Sequence, residues 1–419
     1  MGYNTGLLVL MLAAAGYFVF INKNPEVPLW LGLIFILPIR IPVSVFGTEY
    51  QIKLLFFGLV LISLFSLKMK MLKEKEKPVL PFIIPMLLLL ALFIVGALRS
   101  EAPFLDKPYF LRSFIFRSIF FYLVLNIYGQ KDLPKLIKAL SLTSIVLALT
   151  GIYQHLFKAY FISNCNLPEY RAMGTFDHPN QFALFIFIAG VLSAGMLFYS
   201  KNAKQKIFYG AVFLLNLTAL LMAYSRSLWL CLLAGLALFF IMYNKKTLVV
   251  FAASAVLLVF IMPANYKARF TKPVNMSDPS HQIRAGLISN GWNMIKNNPV
   301  FGVGDGNSFY QYEKYKIVET LGVTRIHTQV ITLTAEYGFL GLLLFVYLMV
   351  LIVFGMVSKL KLLSREDKIL QFALIAVFAG LLLNAQFNGN FFQESYVWLM
   401  IALGLLQPGP ATINEKQEA

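Results

Sequence analysis

The stretch "PFIIPMLLLLALFIVGAL", residues 81–98, contains no charged side chain, and stretches like it recur along almost the whole chain. A helix needs about 20 apolar residues to cross the hydrocarbon core of a bilayer. Candidate spans fall at about 5–21, 28–46, 52–67, 79–98, 109–127, 137–157, 180–199, 206–223, 227–243, 247–262, 330–357, 368–387 and 395–407. The expected fold class is therefore all-α: a polytopic membrane protein with 12 or 13 transmembrane helices. Open sheet is excluded in lipid because its edges leave backbone groups unpaired, and the alternating pattern of a membrane barrel is absent. Charged residues make up 13% of the chain, against about 25% in soluble proteins. The first apolar segment lacks a positive leader and is followed by Asn-Lys-Asn-Pro rather than small residues, so it reads as a retained helix. Cys165 in a polar loop and Cys231 in an apolar segment are the two cysteines; this placement does not suggest a disulfide.

The net charge is +17, which raises the question of nucleic acid. The basic residues sit between apolar segments instead, as in loops that orient a membrane protein and touch anionic headgroups; no nucleic-acid partner is expected. "SLKMKMLKEKEKP" (66–78), "GQKDLPKLIK" (129–138), "SKNAKQK" (200–206), "NKK" (244–246) and "SKLKLLSREDK" (358–368) fall on one side if the spans alternate. The positive-inside rule makes that side the cytoplasm. The long segment 263–329 then lies outside the cytoplasmic membrane. The expected organisation is N-terminal helices over 1–262, an extracytoplasmic loop over 263–329, C-terminal helices over 330–407 and a cytoplasmic tail over 408–419. No strong internal repeat is visible.

The outer loop carries structure of its own. In "MSDPSHQIRAGLISNGWNMIKNNP" (276–299), Asp278 and Pro279 suit a helix start, and Asn297, Asn298 and Pro299 stop it. Leu287, Ile288, Trp292 and Ile295 recur at helical spacing, which predicts an amphipathic helix along the membrane surface. Arg284 in its first turns is unexplained by the helix dipole, which favours anions at that end, and is placed to hold an incoming anion. "NPVFGVGDGNSF" follows. Its glycines, Gly302, Gly304 and Gly306, match neither the P-loop nor the dinucleotide fingerprint and read on spacing as a tight turn.

Several charges stand where the chain meets lipid. Arg226, in "AYSRSLWL", lies between two apolar segments with no room for a loop; it either snorkels to headgroups or needs a partner or wet cavity. Arg171, Asp177 and His178 precede another span, with a capping or loop role the simplest reading for His178. Arg40 and Arg117 read as structural or lipid-facing. Glu336, inside span 330–357, reads as a hydrogen-bonding group in the bundle. Arg226, Arg284 and His327, with Arg171 as a fourth, form an outer-side set with no metal-ligand cluster. Guanidinium groups bind phosphate oxygens in pairs, and a neutral histidine can take a proton from an attacking hydroxyl. Such a set suits a reaction at a lipid-linked pyrophosphate.

These stretches together resemble a known family. "SRS" (225–227), "IRAGLISNGWNMIKNNPVFGVGDGNSF" (283–309) and "HTQVITLTAEYGFLGLLLF" (327–345), with "RAMGTFDHPNQFA" upstream, are similar to the O-antigen ligase and polymerase superfamily. The family's histidine is usually followed by Asn; Thr328 takes that place here. The resemblance implies a metal-independent glycosyltransferase of the GT-C type without a cofactor. Its donor is an undecaprenyl-pyrophosphate-linked glycan and its acceptor a sugar hydroxyl of lipid A–core, with membrane lipids around it. Carried onto this chain, His327 is the general base. Arg226 and Arg284 bind the donor pyrophosphate and Arg171 adds a secondary anion contact. Gly302, Gly304, Gly306, Trp292 and Glu336 shape the site. Three other functions remain open: a polymerase of the same superfamily, a protein O-oligosaccharyltransferase, and a transporter of lipid-linked glycan. The absence of repeats and of mid-span acids argues against the transporter.

Overall fold

A computed structural model of the chain describes residues 42–45, 48–51, 79–101, 109–158, 170–176, 178–261, 263–264, 266–267, 279–320, 322–389 and 391–408. The expected spans 5–21 and 52–67 lie outside these residues. The end of the expected span 28–46 is not helical. Pro42–Val45 (β1) pairs antiparallel with Thr48–Gln51 (β2), with Val43 opposite Tyr50 and Val45 opposite Thr48. The β-branched residues and the Gly47 that follows favour a short ribbon over a helix there.

Everything else regular is helical. The helices are α1 Ile83–Leu98, α2 Tyr109–Ile127, α3 Leu133–Phe157, α4 Pro179–Tyr199, α5 Ala203–Met222, α6 Arg226–Tyr243 and α7 Lys245–Ile261. They continue with α8 Pro279–Asn297, the single turns α9 Asn307–Tyr310 and α10 Tyr312–Tyr315, α11 Gln329–Ser358, α12 Arg365–Asn388 and α13 Ser395–Gly404. Six segments among the described residues are long and apolar enough to cross a membrane, those built on α3, α4, α5, α6, α11 and α12. The protein is a multi-pass membrane protein.

The central element is α4. It is apolar on every side and buried along most of its length, as expected of a helix surrounded by others. It packs against α5, α12, α6 and α3. Small residues allow the close approach: a Cβ on Gly195 would lie 2.7 Å from the Ala373 Cβ, and one on Gly380 would lie 2.3 Å from the Phe187 ring. Membrane helices associate through such packing because lipid supplies no hydrophobic drive. Large apolar side chains that stay exposed, such as Phe354 and Phe260, suit contact with lipid.

One end of the bundle gathers the loop-borne polar residues. The N-termini of α4, α6 and α11 meet the C-terminus of α12 there, through Asn180 to Asn388, Ser225 to Asn180, and Gly389 against the His327 backbone. The lysine-bearing turns 200–206 and 358–368 lie at the other end, where Lys201 meets Glu366 at 2.6 Å.

The segment after α7 has a core of its own, made of Leu287, Met294 and Ile295 with Val303, Tyr312, Ile326 and Ala335. Asn290 organises it. Its buried amide donates to the Tyr312 hydroxyl and the Val318 carbonyl and accepts from the N–H groups of Ile317 and Val318. The expected single apolar face of α8 is therefore split. Leu287 and Ile295 face this core, while Ile288 (43% exposed) and Trp292 (46%), four residues apart, face outward as a second stripe. Helical spacing shows that a stripe is apolar and not which neighbour covers it.

Helix α11 is also not continuous. Two helical segments meet at Gly338, with φ 68° and ψ −171°. The glycine-rich turn docks into that break. Val303 N–H donates to the Ala335 carbonyl, Gly304 N–H to the Glu336 carbonyl and Phe339 N–H to the Pro299 carbonyl.

Candidate active site

His327 lies two residues before α11, where the chain is pinned from both sides. Gly389, in the left-handed conformation that ends α12, packs on the His327 carbonyl group. Gln329, fully buried, accepts the Phe391 N–H through Oε1. The imidazole is half-buried and lines a cavity of about 350 Å³ together with Arg284 and Arg325. Residues 43 positions apart in sequence, at the start of α8 and before α11, thus share one space.

The charges in this space act on one another. Removal from water lowers the His327 pKa below its ordinary 6.5, and the fields of Arg284 and Arg325 lower it further. The ring is therefore held neutral near pH 7, with a lone pair available. Arg284 reaches solvent, yet enough protein surrounds its guanidinium that desolvation lowers its proton affinity, with Arg226 adding to the effect. Two guanidinium groups that repel within one site are offset by a bound anion. Arg226 itself begins α6, half-buried, and does not line the cavity.

Arg171 is engaged by protein. Its Nε donates to the Ala223 carbonyl at 2.8 Å and its Nη2 to Asn180 Oδ1 at 3.2 Å. It stands behind Asn180, which does line the cavity. His178 caps α4, its Nδ1 accepting the Asn180 N–H at 3.1 Å, and also lines the cavity; Asp177 lies outside the described residues.

The remaining expected residues stand apart from the cavity. Gly302, Gly304 and Gly306 all have positive φ, and a Cβ on Gly302 would lie 2.3 Å from the Glu336 backbone. Their visible work is the clasp on α11. Glu336, 2% exposed, accepts the Ser308 hydroxyl beside that clasp. Trp292 faces outward from α8.

Arg325, which the sequence places with His327 where the chain re-enters lipid, joins His327 and Arg284 in the cavity. The structure adds groups the sequence did not single out: Asn180, Gln181, Asn384 and Asn388 contribute carboxamides. Glu394 contributes a buried carboxylate that does not cap its own helix α13. Its one signal in sequence is an acid in "NGNFFQES", between two apolar stretches. The cavity thus combines a cationic set, a neutral imidazole and hydrogen-bonding amides. The cationic set can hold an anion while the imidazole takes a proton from a neighbouring hydroxyl.

Comparison with known proteins bears on which anion. Residues 211–346 match the family described as O-antigen ligase, a stretch that includes Arg226, Arg284, His327 and the clasp. The resemblance read from the motifs at 225–227, 283–309 and 327–345 therefore falls within the matched stretch. The teichuronic acid biosynthesis protein TuaE of Bacillus subtilis (strain 168) is 25% identical over 312 residues, which cover 68% of this chain. The chain spans 63% of that relative's length.

Proposed function

We propose that this chain, carrying the domain of the O-antigen ligase family, is a polysaccharide-assembly glycosyltransferase of the membrane. In this reading it moves a glycan from undecaprenyl pyrophosphate to a sugar hydroxyl, without a metal, on the extracytoplasmic face. The observation that carries the reading is the sharing of one cavity by neutral His327 and Arg284. The lysine-bearing turns at the opposite end of the bundle support that side.

The acceptor hydroxyl gives its proton to His327 as its oxygen attacks the anomeric carbon. A glycosidic C–O bond forms and the C–O bond to phosphate breaks, its electron pair leaving with the pyrophosphate. Arg284 and Arg325 meet the departing charge directly, and Arg226 and Arg171 support it from behind. No nucleotide is required, since the carrier pyrophosphate already activates the sugar. In the finer form of this reading the acceptor is lipid A–core. A second reading is favoured by the relative named for teichuronic acid biosynthesis: the acceptor is then a second carrier-linked glycan. The test is the purified protein with undecaprenyl-pyrophosphate-linked glycan, offered lipid A–core, a second carrier-linked glycan and a serine-bearing peptide in turn. A new covalent product on a sugar acceptor is expected, and its identity separates ligase from polymerase. A product on the peptide alone, or on none of the three, overturns the reading.

Arg284→Ala is expected to lower transfer by about 10²–10³-fold, the usual effect of removing one charge-stabilising donor. The protein stays folded, because Leu287, Met294 and Ile295 hold α8. A variant keeping a tenth or more of the wild-type rate contradicts the role.

The lowered His327 pKa also fixes a pH profile. Because the pKa lies below 6.5, kcat/KM is flat at neutral pH and falls as pH drops through that lower value, where the ring becomes protonated. Arg325→Gln removes one of the two cationic fields and moves the inflection upward. An inflection that stays in place, or moves down, shows that His327 is not the titrating base.

A further inference from the structure

Part of the cavity wall is made of carboxamides, and their orientation is dictated from behind. Asn180 and Gln181 come from the first turn of α4, and Asn384 and Asn388 from the last turns of α12. Arg171 Nη2 donates to Asn180 Oδ1 at 3.2 Å, and a guanidinium can only donate. The Ser225 hydroxyl donates to the same oxygen at 3.0 Å. The Asn180 nitrogen must therefore face the other way, and it donates to Asn388 Oδ1 at 3.1 Å. The Asn388 nitrogen in turn donates to Asn384 Oδ1 at 2.6 Å. Polarity runs one way along this chain and ends on the Asn384 NH₂ group. That group has no protein acceptor among the described residues. Gln181, which lines the same cavity, has an Oε1 that is buried with no protein partner among them.

An amide that ends a fixed relay at a cavity is a preset donor, and a buried amide oxygen without a partner costs free energy until something supplies a hydrogen. The group that fits must offer both accepting and donating oxygens at short range. It must also tolerate the apolar side of the cavity, formed by Phe391, Leu381 and Val397. A pyranose has this character, with hydroxyls at its rim and C–H groups on its face. A volume of about 350 Å³ lies at the small end of ligand pockets (~300–1,000 Å³). It suits one sugar unit rather than a long glycan.

We propose that Asn384, oriented by the relay from Arg171 through Asn180 and Asn388, and Gln181, which lines the same cavity, form a subsite for the sugar ring directly attached to the pyrophosphate. The proposal rests on the glycosyl-pyrophosphate donor assigned above and adds what that donor must carry. The ring needs an oxygen that accepts from Asn384 and a hydroxyl that donates to Gln181. Arg171 is a positioning residue for this subsite, since it sets the direction of every amide ahead of it.

The test is direct binding to the full-length purified protein of two probes: a short-chain prenyl pyrophosphate, and the same compound bearing one hexose. The wild type is expected to bind the hexose-bearing probe about tenfold more tightly, the worth of one or two neutral hydrogen bonds. Asn384→Leu and, independently, Gln181→Leu are expected to reduce that preference severalfold or more and leave the bare probe's affinity unchanged. The second variant covers the case in which the first does not fold. A wild type without preference for the hexose, or a preference retained in both folded variants, overturns the subsite while leaving the pyrophosphate site intact. A wild type that binds neither probe overturns the donor assignment, and the subsite with it.

Discussion

His327→Ala is expected to lower the transfer rate by about 10²–10⁴-fold, the range contributed by a positioned general base. Three features direct that expectation. The imidazole lines the cavity, burial together with Arg284 and Arg325 keeps it neutral, and Gly389 and Gln329 fix the backbone that carries it. Those backbone contacts do not involve the imidazole, so the variant keeps its fold and its melting temperature stays close to that of the wild type. Binding of the carrier pyrophosphate is also retained, because removing the ring takes away no guanidinium. Steady-state rates together with a binding measurement check both halves. The acidic inflection in kcat/KM disappears with the ring. An inflection that persists in the variant assigns the base to another group.

Gly338→Ala is expected to abolish folded protein. At φ 68° and ψ −171° the residue occupies a region open essentially to glycine alone, and a side chain there costs about 1–3 kcal/mol in strain. Sterics add to it: the new Cβ would lie 2.1 Å from the Val300 carbonyl oxygen and 2.2 Å from its carbon. Relief requires the glycine-rich turn to lift off α11, which breaks the bonds from Val303, Gly304 and Phe339. Each buried donor left unpaired adds about 1–3 kcal/mol. The sum is comparable to the ~5–15 kcal/mol stability of a typical domain. Gly322→Ala is the control. It too has positive φ, 77°, but nothing lies within 4 Å of the added Cβ, so only the strain is felt. Yield of monodisperse protein and thermal melting separate the two. A Gly338→Ala protein that melts like Gly322→Ala contradicts the clasp.

The bundle was legible because membrane helices are long and uniformly apolar. The expected spans from 79–98 onward fall on α1–α7 and α11–α13 within a few residues. Their interruptions were not legible. Gly338 sits in an apolar run, and nothing in "EYGFLGLLLF" distinguishes a break from a small residue at a packing face. The strand Pro42–Val45 was absorbed into the span 28–46 for the same reason. At the candidate site, Arg284 and His327 stood out because charged groups at a lipid boundary need an explanation. Asn384, Asn388 and Glu394 did not, since polar residues at helix ends are ordinarily caps. Only the approach of α12 to α4 and to the His327 backbone shows that they share one cavity. The glycine-rich turn was legible as a turn, but its partner lies more than 30 residues away, and no local pattern links Gly302 to Gly338.

The central claim is that this cavity makes a glycosidic bond at the expense of a carrier pyrophosphate. The most direct measurement is a single-turnover reaction of the purified protein with undecaprenyl-pyrophosphate-linked glycan and a sugar acceptor, run with chelator present and following both carrier and glycan. The account predicts one new glycoside for each glycan-free undecaprenyl pyrophosphate released, at a rate the chelator does not change. Glycan that stays on its carrier, or transfer that stops when metal is removed, contradicts it.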